Sequence, residues 1–71
     1  MSDWAKHLGA NIRAARQNQS MTLRDLRDAT GYGLGHLCDV ENGKVPDVSV
    51  RCLLAICEGL NARLHHVLPK A

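Results

Sequence analysis

Two short helical patterns of apolar residues lie on either side of a glycine-bearing turn near the middle of the chain. Before the turn Leu23 and Leu26 recur at helical spacing, and after it Leu34 and Leu37 do the same. The connection is Gly31-Tyr32-Gly33, and a glycine just beyond a helical run supplies the left-handed backbone conformation that ends a helix. Because so few residues join them, the two helices are expected to cross steeply.

Polar caps and apolar periodicity predict three further helices around this pair. Thr22 opens the second helix as a capping-box-like Thr-Leu-Arg-Asp start, with Asp25 at the third helical position. Ser49, or alternatively Asp47, caps a fourth helix, and Asn61 is placed to end it. The apolar positions of the first, fourth and fifth helices are Trp4, Leu8, Ile12 and Ala15, then Val50, Leu53, Ile56, Cys57 and Leu60, then Leu64, Val67 and Leu68. The prediction is an all-α fold of five short helices.

Length and composition are those of one small helical domain. The 71 residues are 45% hydrophobic and 23% charged, which are ordinary globular values, but only 3% aromatic. A core of Leu, Ile, Val, Ala and Cys favours close-packed helices over a sheet. Every apolar run, Leu53–Ile56 among them, is far below the ~18 residues needed to span a bilayer, and the first residues lack a secretory h-region. We therefore expect a single domain over residues 1–71, located in the cytoplasm with no membrane partner.

The histidines and cysteines do not form a metal-binding or catalytic pattern. Three cysteines without a CxxC are typical of small buried hydrophobes in a reducing compartment. A domain of this size offers little cleft for a Cys-His nucleophile. No spacing suits a structural zinc site: it is two residues for His36 and Cys38, five for Cys52 and Cys57, and one for His65 and His66. We expect no metal, no cofactor and no enzymatic activity.

The stretch TLRDLRDATGYGLGHLCDVENGK resembles the helix-turn-helix of the phage repressor and Cro family of DNA-binding domains. The flanking segments LGANIRAAR and VRCLLAICEGLNARLHHVL extend the resemblance over roughly residues 5 to 68. The residues that carry it are Thr22, Leu26, Gly31, Leu37, Val40 and the Glu41-Asn42-Gly43-Lys44 signature. The resemblance implies a lambda-repressor-like fold of five helices, with a central helix-turn-helix at about residues 22–42.

The resemblance also implies which residues are structural. Arg16 matches an arginine of the first helix that pairs, in several family members, with a glutamate at the position of Glu41. A partly buried Arg16–Glu41 ion pair is therefore our hypothesis, and the alternative is an exposed arginine. The implied core residues are Leu8, Ile12, Met21, Leu26, Thr30, Tyr32, Leu37, Val40, Val50, Leu53, Ile56, Cys57, Leu60, Leu64 and Leu68.

By the same resemblance, the helix that begins after Gly33 lies in the major groove of double-stranded DNA, and the helix before it crosses the backbone. The implied groove-facing residues are Leu34, Gly35, His36 and Asp39. Free N–H groups at a helix amino end favour an anion, so the implied phosphate contacts are Thr22, Leu23 and Arg24, together with Asn42 and Lys44. Arg13 is a further candidate, and the alternative for Arg13 and Arg24 is a solvated charge.

The groove-facing residues depart from the strong base readers. Arg and Lys read guanine and Asn and Gln read adenine, whereas Leu34, Gly35 and Asp39 are none of these. Leu34 could pack on a thymine methyl group, His36 could donate to guanine or a phosphate, and Asp39 could accept from cytosine or repel the backbone. Specificity could then rest on DNA shape. The alternative function is a protein-interaction module, such as an antitoxin-like domain, whose DNA readout is weak or lost.

A formal net charge of +2 predicts weak DNA binding by one copy. A homodimer on two operator half-sites would compensate, since closed two-fold pairs are the commonest oligomers. The interface implied by relatives is Leu64, His65, His66 and Val67, and the alternative is that the apolar residues are core and the histidines solvated. The expected function is a sequence-specific transcriptional regulator, a repressor on a palindromic operator, encoded by a prokaryote or phage and without a small-molecule effector.

Overall fold

The helices lie where the apolar periodicity and the caps predict them. The computed structural model describes residues 2–69, which form α1 (Ser2–Asn18), α2 (Leu23–Thr30), α3 (Leu34–Glu41), α4 (Val50–Leu60) and α5 (Leu64–Val67), with no strand among them. α1 packs against α3 and α5, α2 against α3 and α4, and α4 against α5. The prediction of an all-α fold with five helices is confirmed. Within residues 2–69, no helix is both long and apolar enough to cross a membrane.

Local hydrogen bonds set both ends of α2. Asp25 N donates to Thr22 Oγ1 at 3.1 Å, and Thr22 N donates to Asp25 Oδ2 at 2.9 Å, which completes the predicted capping box. At the other end Gly31 has a φ of +82° and donates its N–H to Arg27 O at 2.7 Å. Glycine adopts this left-handed conformation without the steric cost that a side chain would add, so it stops the helix here.

The ends of α4 follow the same rules. Ser49 Oγ accepts a hydrogen bond from Cys52 N at 3.1 Å, so Ser49 and not Asp47 is the cap. Asn61 ends the helix in the left-handed conformation with a φ of +53°. Both ends are therefore at the predicted residues.

The core lies between α4 and the other four helices. α4 contributes five buried residues, and the remaining buried hydrophobic residues come from every other helix. The buried hydrophobic residues are Ala5, Leu8, Ile12, Leu26, Leu37, Val40, Cys52, Leu53, Ile56, Cys57, Leu60 and Val67. Met21, Tyr32, Leu64 and Leu68 are half-buried and pack against this cluster, and Thr30 is also half-buried.

Two residues of the predicted apolar helix faces are instead exposed. Val50 is 67% exposed, so its assignment to the core is wrong. It shares the outer face of α4 with Leu54, one turn later and 48% exposed, because residues four apart lie on the same side of a helix. Trp4 is likewise 41% exposed, while the neighbouring Ala5 is buried. The buried stripe of α1 therefore begins one residue later than predicted.

Burial also corrects two other predictions. Val67 has no exposed surface, so its place in a dimer interface is wrong: the one-turn helix α5 directs it into the core. Cys52 and Cys57 are buried as expected, and burial raises the pKa of both thiols. Cys38 is only half-buried and is therefore not a core residue.

The backbones of α1 and α3 touch at a glycine. Gly9 is buried, and a Cβ atom at this position would overlap the carbonyl oxygens of Val40 and Glu41. The same contact continues at Gly43, where a Cβ would lie 2.6 Å from Lys6 Cγ. Glycine at these positions lets α1 cross the carboxyl end of α3 at backbone distance. The sequence patterns do not reveal this crossing, because they report faces of helices and not the distance between them.

Gly9→Ala is expected to lower the free energy of unfolding by roughly 1–3 kcal/mol, because the added methyl group meets backbone atoms that cannot rotate away. Gly35→Ala is the matched control. A Cβ at Gly35 would meet nothing within 4 Å, so alanine there should raise stability by roughly 0.5–1 kcal/mol through its higher helix propensity. Urea unfolding followed by circular dichroism measures both changes. Equal effects of the two substitutions would contradict the close crossing.

Candidate nucleic-acid interface

A tight turn holds α2 and α3 against each other. Thr30 Oγ1 donates to Leu26 O at 2.8 Å and accepts from Tyr32 N at 3.2 Å, so its hydroxyl links the end of α2 to the turn. Gly33 precedes α3 with an extended backbone, and Leu37 N donates to its carbonyl oxygen at 3.0 Å. Leu26 and Leu37 are both completely or almost completely buried. The relative position of the two helices therefore rests on hydrogen bonds and on core packing.

α3 has one buried face and one exposed face. Leu37, Val40 and Glu41 are buried, whereas Gly35 and Asp39 on the opposite side are exposed. The two predicted groove-facing residues that point most directly away from the core are therefore a glycine and an aspartate. Since neither provides a donor for a guanine or a pair of hydrogen bonds for an adenine, this face has little capacity for direct polar readout of bases.

His36 lies at the edge of α3 that faces α4. Its Nε2 atom is 3.6 Å from Cys52 Sγ, and its ring centroid is 5.7 Å from that of Tyr32. The residue is exposed, but these two contacts direct its ring toward α4 and away from α2. Of the four predicted groove-facing residues, His36 is therefore the one whose ring lies near Cys52 of α4.

The amino end of α2 presents unpaired backbone donors. The first hydrogen bond within the helix runs from Leu26 N to Thr22 O at 3.1 Å, and Asp25 N is already capped by Thr22. The N–H groups of Leu23 and Arg24 precede the first helical bond, so they are free to bind an anion. The hydrogen bond from Thr22 N to the carboxylate lowers the pKa of Asp25, and the Thr22 side chain acts in the same direction. Asp25 balances part of the positive end of the helix.

An open groove separates the amino end of α2 from the first turn of α3. Its volume is about 620 Å³, and its lining is Thr22, Leu23, Arg24, Leu34, Gly35 and Cys38. Five of these residues were predicted to contact DNA, and the structure brings them together. Cys38 was missed. The signal that could have found it is its spacing, since Cys38 is four residues after Leu34 and lies on the same side of α3.

The carboxyl end of α3 carries a second polar cluster. Arg13 Nη2 donates to Asn42 Oδ1 at 2.8 Å, and Asn42 Nδ2 donates to Cys38 Sγ at 3.3 Å. Lys44 is exposed, and its backbone N–H donates to Asp39 O at 2.9 Å. The predicted residues Asn42 and Lys44 therefore lie beyond the end of α3, and Arg13 of α1 reaches the same place. The amide of Asn42 is already bonded on both sides within the protein.

Glu41 is the one buried acidic residue among residues 2–69, and two arginines of α1 pair with it. Arg16 Nε donates to Glu41 Oε2 at 2.7 Å and Arg16 Nη2 donates to Oε1 at 3.1 Å. Arg13 Nε approaches Oε1 at 3.3 Å. Exposure of the side chain is 1% for Glu41, 12% for Arg16 and 45% for Arg13. Arg16 therefore forms a buried bidentate contact with the Glu41 carboxylate, and Arg13 covers that carboxylate on the solvent side.

Arg16 also bonds to the loop that leads into α2. Its Nη1 atom donates to Met21 O at 2.7 Å, so a single guanidinium connects α1, the start of the helix-turn-helix and the end of α3. The hydrogen bond and charge of Glu41 raise the pKa of Arg16 despite partial desolvation. Arg13 as a second partner of Glu41 was not predicted, although it lies three residues before Arg16 on the same helix face.

The residues predicted for a dimer interface lie in three different places. Leu64 lines a groove with Leu54, and the exposed residues Glu58 and Arg63 line it as well. His65 and His66 are exposed, with ring centroids 4.2 Å apart, and line a separate groove together with His7 and Asn11. Val67 is in the core, as described above. In the described part of the chain, no group of three or more His, Cys, Asp or Glu side chains is placed to hold a metal ion.

Comparison with known proteins identifies similar sequences. Residues 7–68 match the family model of a helix-turn-helix domain. The chain is 38% identical over 61 residues to the transcriptional regulator ClgR of two Mycobacterium tuberculosis strains. That alignment covers 86% of this chain and 54% of the relative, so the chain spans about half the length of the curated relatives it matches.

Two solved structures are similar to this one. The crystal structure of the clp gene regulator ClgR from C. glutamicum has a TM-score of 0.84 and 33% sequence identity, covering 90% of this chain and 82% of that one. The restriction-modification controller protein C.AhdI from Aeromonas hydrophila has a TM-score of 0.85 at 20% identity, covering 96% and 100%. The second likeness concerns the fold alone. Both ClgR relatives are named as regulators.

Glu41→Ala is expected to lower the free energy of unfolding by ~3–5 kcal/mol, because it leaves the largely buried Arg16 without its partner. Arg27→Gln is the control, since Arg27 forms only an exposed pair with Asp28 and should change stability by about 0–1 kcal/mol. Urea unfolding measures both. A decrease in the free energy of unfolding below ~0.5 kcal/mol for Glu41→Ala, which is typical of a surface substitution, would contradict a stabilising role of the Arg16–Glu41 pair.

Proposed function

This chain belongs to the helix-turn-helix domain family, and from that membership and its surface we infer that it is a transcriptional regulator that binds double-stranded DNA in a sequence-specific way. The observation that carries the proposal is the position of the exposed face of α3. It lies between two groups of phosphate-binding candidates. One is the free N–H groups at the start of α2, and the other is the cationic cluster formed by Arg13 and Lys44 beyond the end of α3. A duplex held at both places would receive α3 in its major groove.

The two groups would hold the backbone on either side of the reading helix. At the start of α2, the N–H groups of Leu23 and Arg24 and the guanidinium of Arg24 would bind one phosphate. After α3, Lys44 would bind a second phosphate and the exposed part of Arg13 would bind a third. The proposal uses Asn42 indirectly, because its amide is bonded to Arg13 and Cys38 and so orients that guanidinium.

Operator choice would depend little on polar contacts to bases. The α3 surface offers Gly35 and Asp39 at its centre, and His36 is turned toward α4. Sequence-dependent shape and apolar contacts are the remaining sources of specificity. We place this function in the cytoplasm of a prokaryote or on phage DNA, and we propose repression, since occupancy of an operator within a promoter excludes RNA polymerase sterically.

A homodimer is part of the proposal. The groove of Leu54 and Leu64 carries an acidic edge at Glu58 and a basic edge at Arg63. A two-fold axis through it would bring Glu58 of each copy near Arg63 of the other, which is the self-complementarity that such an interface requires. Leu54 is 48% exposed in the single chain and would be covered. The two reading helices would then contact half-sites about 34 Å apart on a palindromic operator.

DNA binding by this surface predicts a steep dependence on salt. With Arg13, Arg24 and Lys44 as three contacts in each of two copies, the logarithm of the association constant should fall with the logarithm of salt concentration with a slope of about −5. Fluorescence anisotropy with a duplex selected by the protein from a random library measures this slope. Lys44→Gln should reduce its size by about 2 for the dimer, because one phosphate contact is lost in each copy.

Arg27→Gln is the matched control for that measurement. It removes the same charge from the last turn of α2, away from the amino end, and should leave the slope unchanged. A selection that yields no preferred sequence, or binding that is indifferent to salt, would contradict the proposed function. That result would favour a protein-interaction module, which the glycine and aspartate on the α3 face would suit.

Dimer formation is expected to be measurable without DNA. Sedimentation equilibrium should give a mass twice that of the chain, and Leu54→Lys should shift the protein to the monomer, because the long charged side chain replaces an apolar contact at the centre of the interface and must be desolvated there. Ala10→Lys on the exposed side of α1 is the control and should remain dimeric. A wild-type protein that stays monomeric at concentrations that saturate the operator would rule out this part of the proposal.

A further inference from the structure

The groove between α2 and α3 has an apolar floor that the fold does not use. Leu23 packs partly against the core, but Leu34 and Cys38 belong neither to the buried cluster nor to the half-buried residues packed on it. Both are half-buried and line the groove. Leu34, at the first position of α3, is therefore an apolar side chain outside the core that lines the groove.

The polar groups of the groove lie at its rim. The hydroxyl of Thr22 takes part in the capping box, and Arg24 is an exposed side chain next to the free N–H groups of α2. Gly35 lacks a side chain, and a Cβ there would meet no atom within 4 Å, so the groove is open toward the exposed face of α3. A ligand that binds in this groove must therefore have an apolar group where it enters the groove and an anionic group next to the rim.

We propose that this groove receives the C5-methyl groups of thymines in the operator. The inference rests on the proposed DNA-binding function and names what its reading helix recognises. Thymine is the only standard base that presents an apolar group in the major groove. The phosphate of the same strand would lie at the rim, where Arg24 and the amino end of α2 provide the matching charge. Leu23, Leu34 and Cys38 then determine specificity through contact with a methyl group.

This assignment explains why the reading surface lacks strong hydrogen-bonding side chains. A methyl group needs apolar contact and the exclusion of water, which two leucines and a thiol supply. Asn42 contributes indirectly, because its Nδ2 donates to Cys38 Sγ and so holds the thiol at the edge of the groove. Gly35 lets the edge of a base approach the helix where a larger residue would stand in the way.

Replacement of thymine by uracil tests the proposal, because it removes the methyl group and leaves every hydrogen-bonding group in place. The probe is the duplex that the wild-type protein selects from a random library, with uracil substituted at one thymine of each half-site in turn. For the thymine in the groove, the dissociation constant should rise about fourfold for each methyl removed, which is the value for transfer of one such group out of water. A second arm replaces single cytosines by 5-methylcytosine. Since none of these cytosines lies in the groove, the added methyl groups should leave the dissociation constant unchanged.

Variants of the groove locate the effect. In Leu34→Ala and in Cys38→Ala the penalty for uracil should shrink to less than about twofold, because the methyl group has lost its contact and the two changes are no longer independent. Val50→Ala, an apolar truncation at an exposed position outside the groove, should keep the full penalty. Circular dichroism checks that each variant folds. If one variant does not fold, the comparison of thymine and uracil duplexes with the wild-type protein still tests the proposal.

The possible failures are distinct. Sequence-specific binding with no uracil effect at any thymine overturns the inference and leaves the proposed function intact. A uracil effect that persists unchanged in both groove variants also overturns it, since the methyl group is then read elsewhere. A selection that yields no preferred sequence overturns the proposed function and this inference with it.

Discussion

The contact of α1 with the carboxyl end of α3 is the constraint on which the rest of the structure depends. Gly9 lets the two backbones touch, and Glu41 then becomes so buried that its carboxylate needs a full complement of partners. Arg16 supplies most of them and bonds to Met21 O as well. One ionic cluster thus sets the position of α3 relative to α1 and to the beginning of α2. Because the cost of leaving such a charge unpaired is large, this arrangement tolerates little variation.

The consequence for the proposed interface is that α3 is presented as a rigid helix. Its buried side is held by Leu37, Val40 and Glu41, so its exposed side has a defined orientation. On that side the chain offers an apolar groove next to α2 and a cationic cluster beyond the end of α3. The proposed recognition therefore divides into two tasks: charges and N–H groups position the backbone, and an apolar surface with few polar readers selects the sequence.

Much of the fold could be predicted because the relevant interactions are local. The capping box of Thr22 and Asp25, the left-handed Gly31 and the cap at Ser49 each involve residues within four positions of one another, so the sequence contains the whole interaction. The apolar repeat of α4 predicted its buried face for the same reason. Val50 was the exception, because the periodic pattern extends one residue beyond the part of α4 that other helices cover.

The sequence predicted most of the residues that form the candidate site, but not how those residues are placed relative to one another. The sequence and its family resemblance placed Leu34, Gly35, His36 and Asp39 together on α3, whereas the structure turns His36 toward Cys52. Cys38 takes part in the groove instead. The sequence by itself determined the five helices and the ends of α2 and α4, since these ends depend on hydrogen bonds between near neighbours. Only the tertiary structure decided which side of α3 faces α2, α4 or solvent, because that depends on how closely the helices cross, and a glycine at residue 9 and a buried charge at residue 41 set that distance.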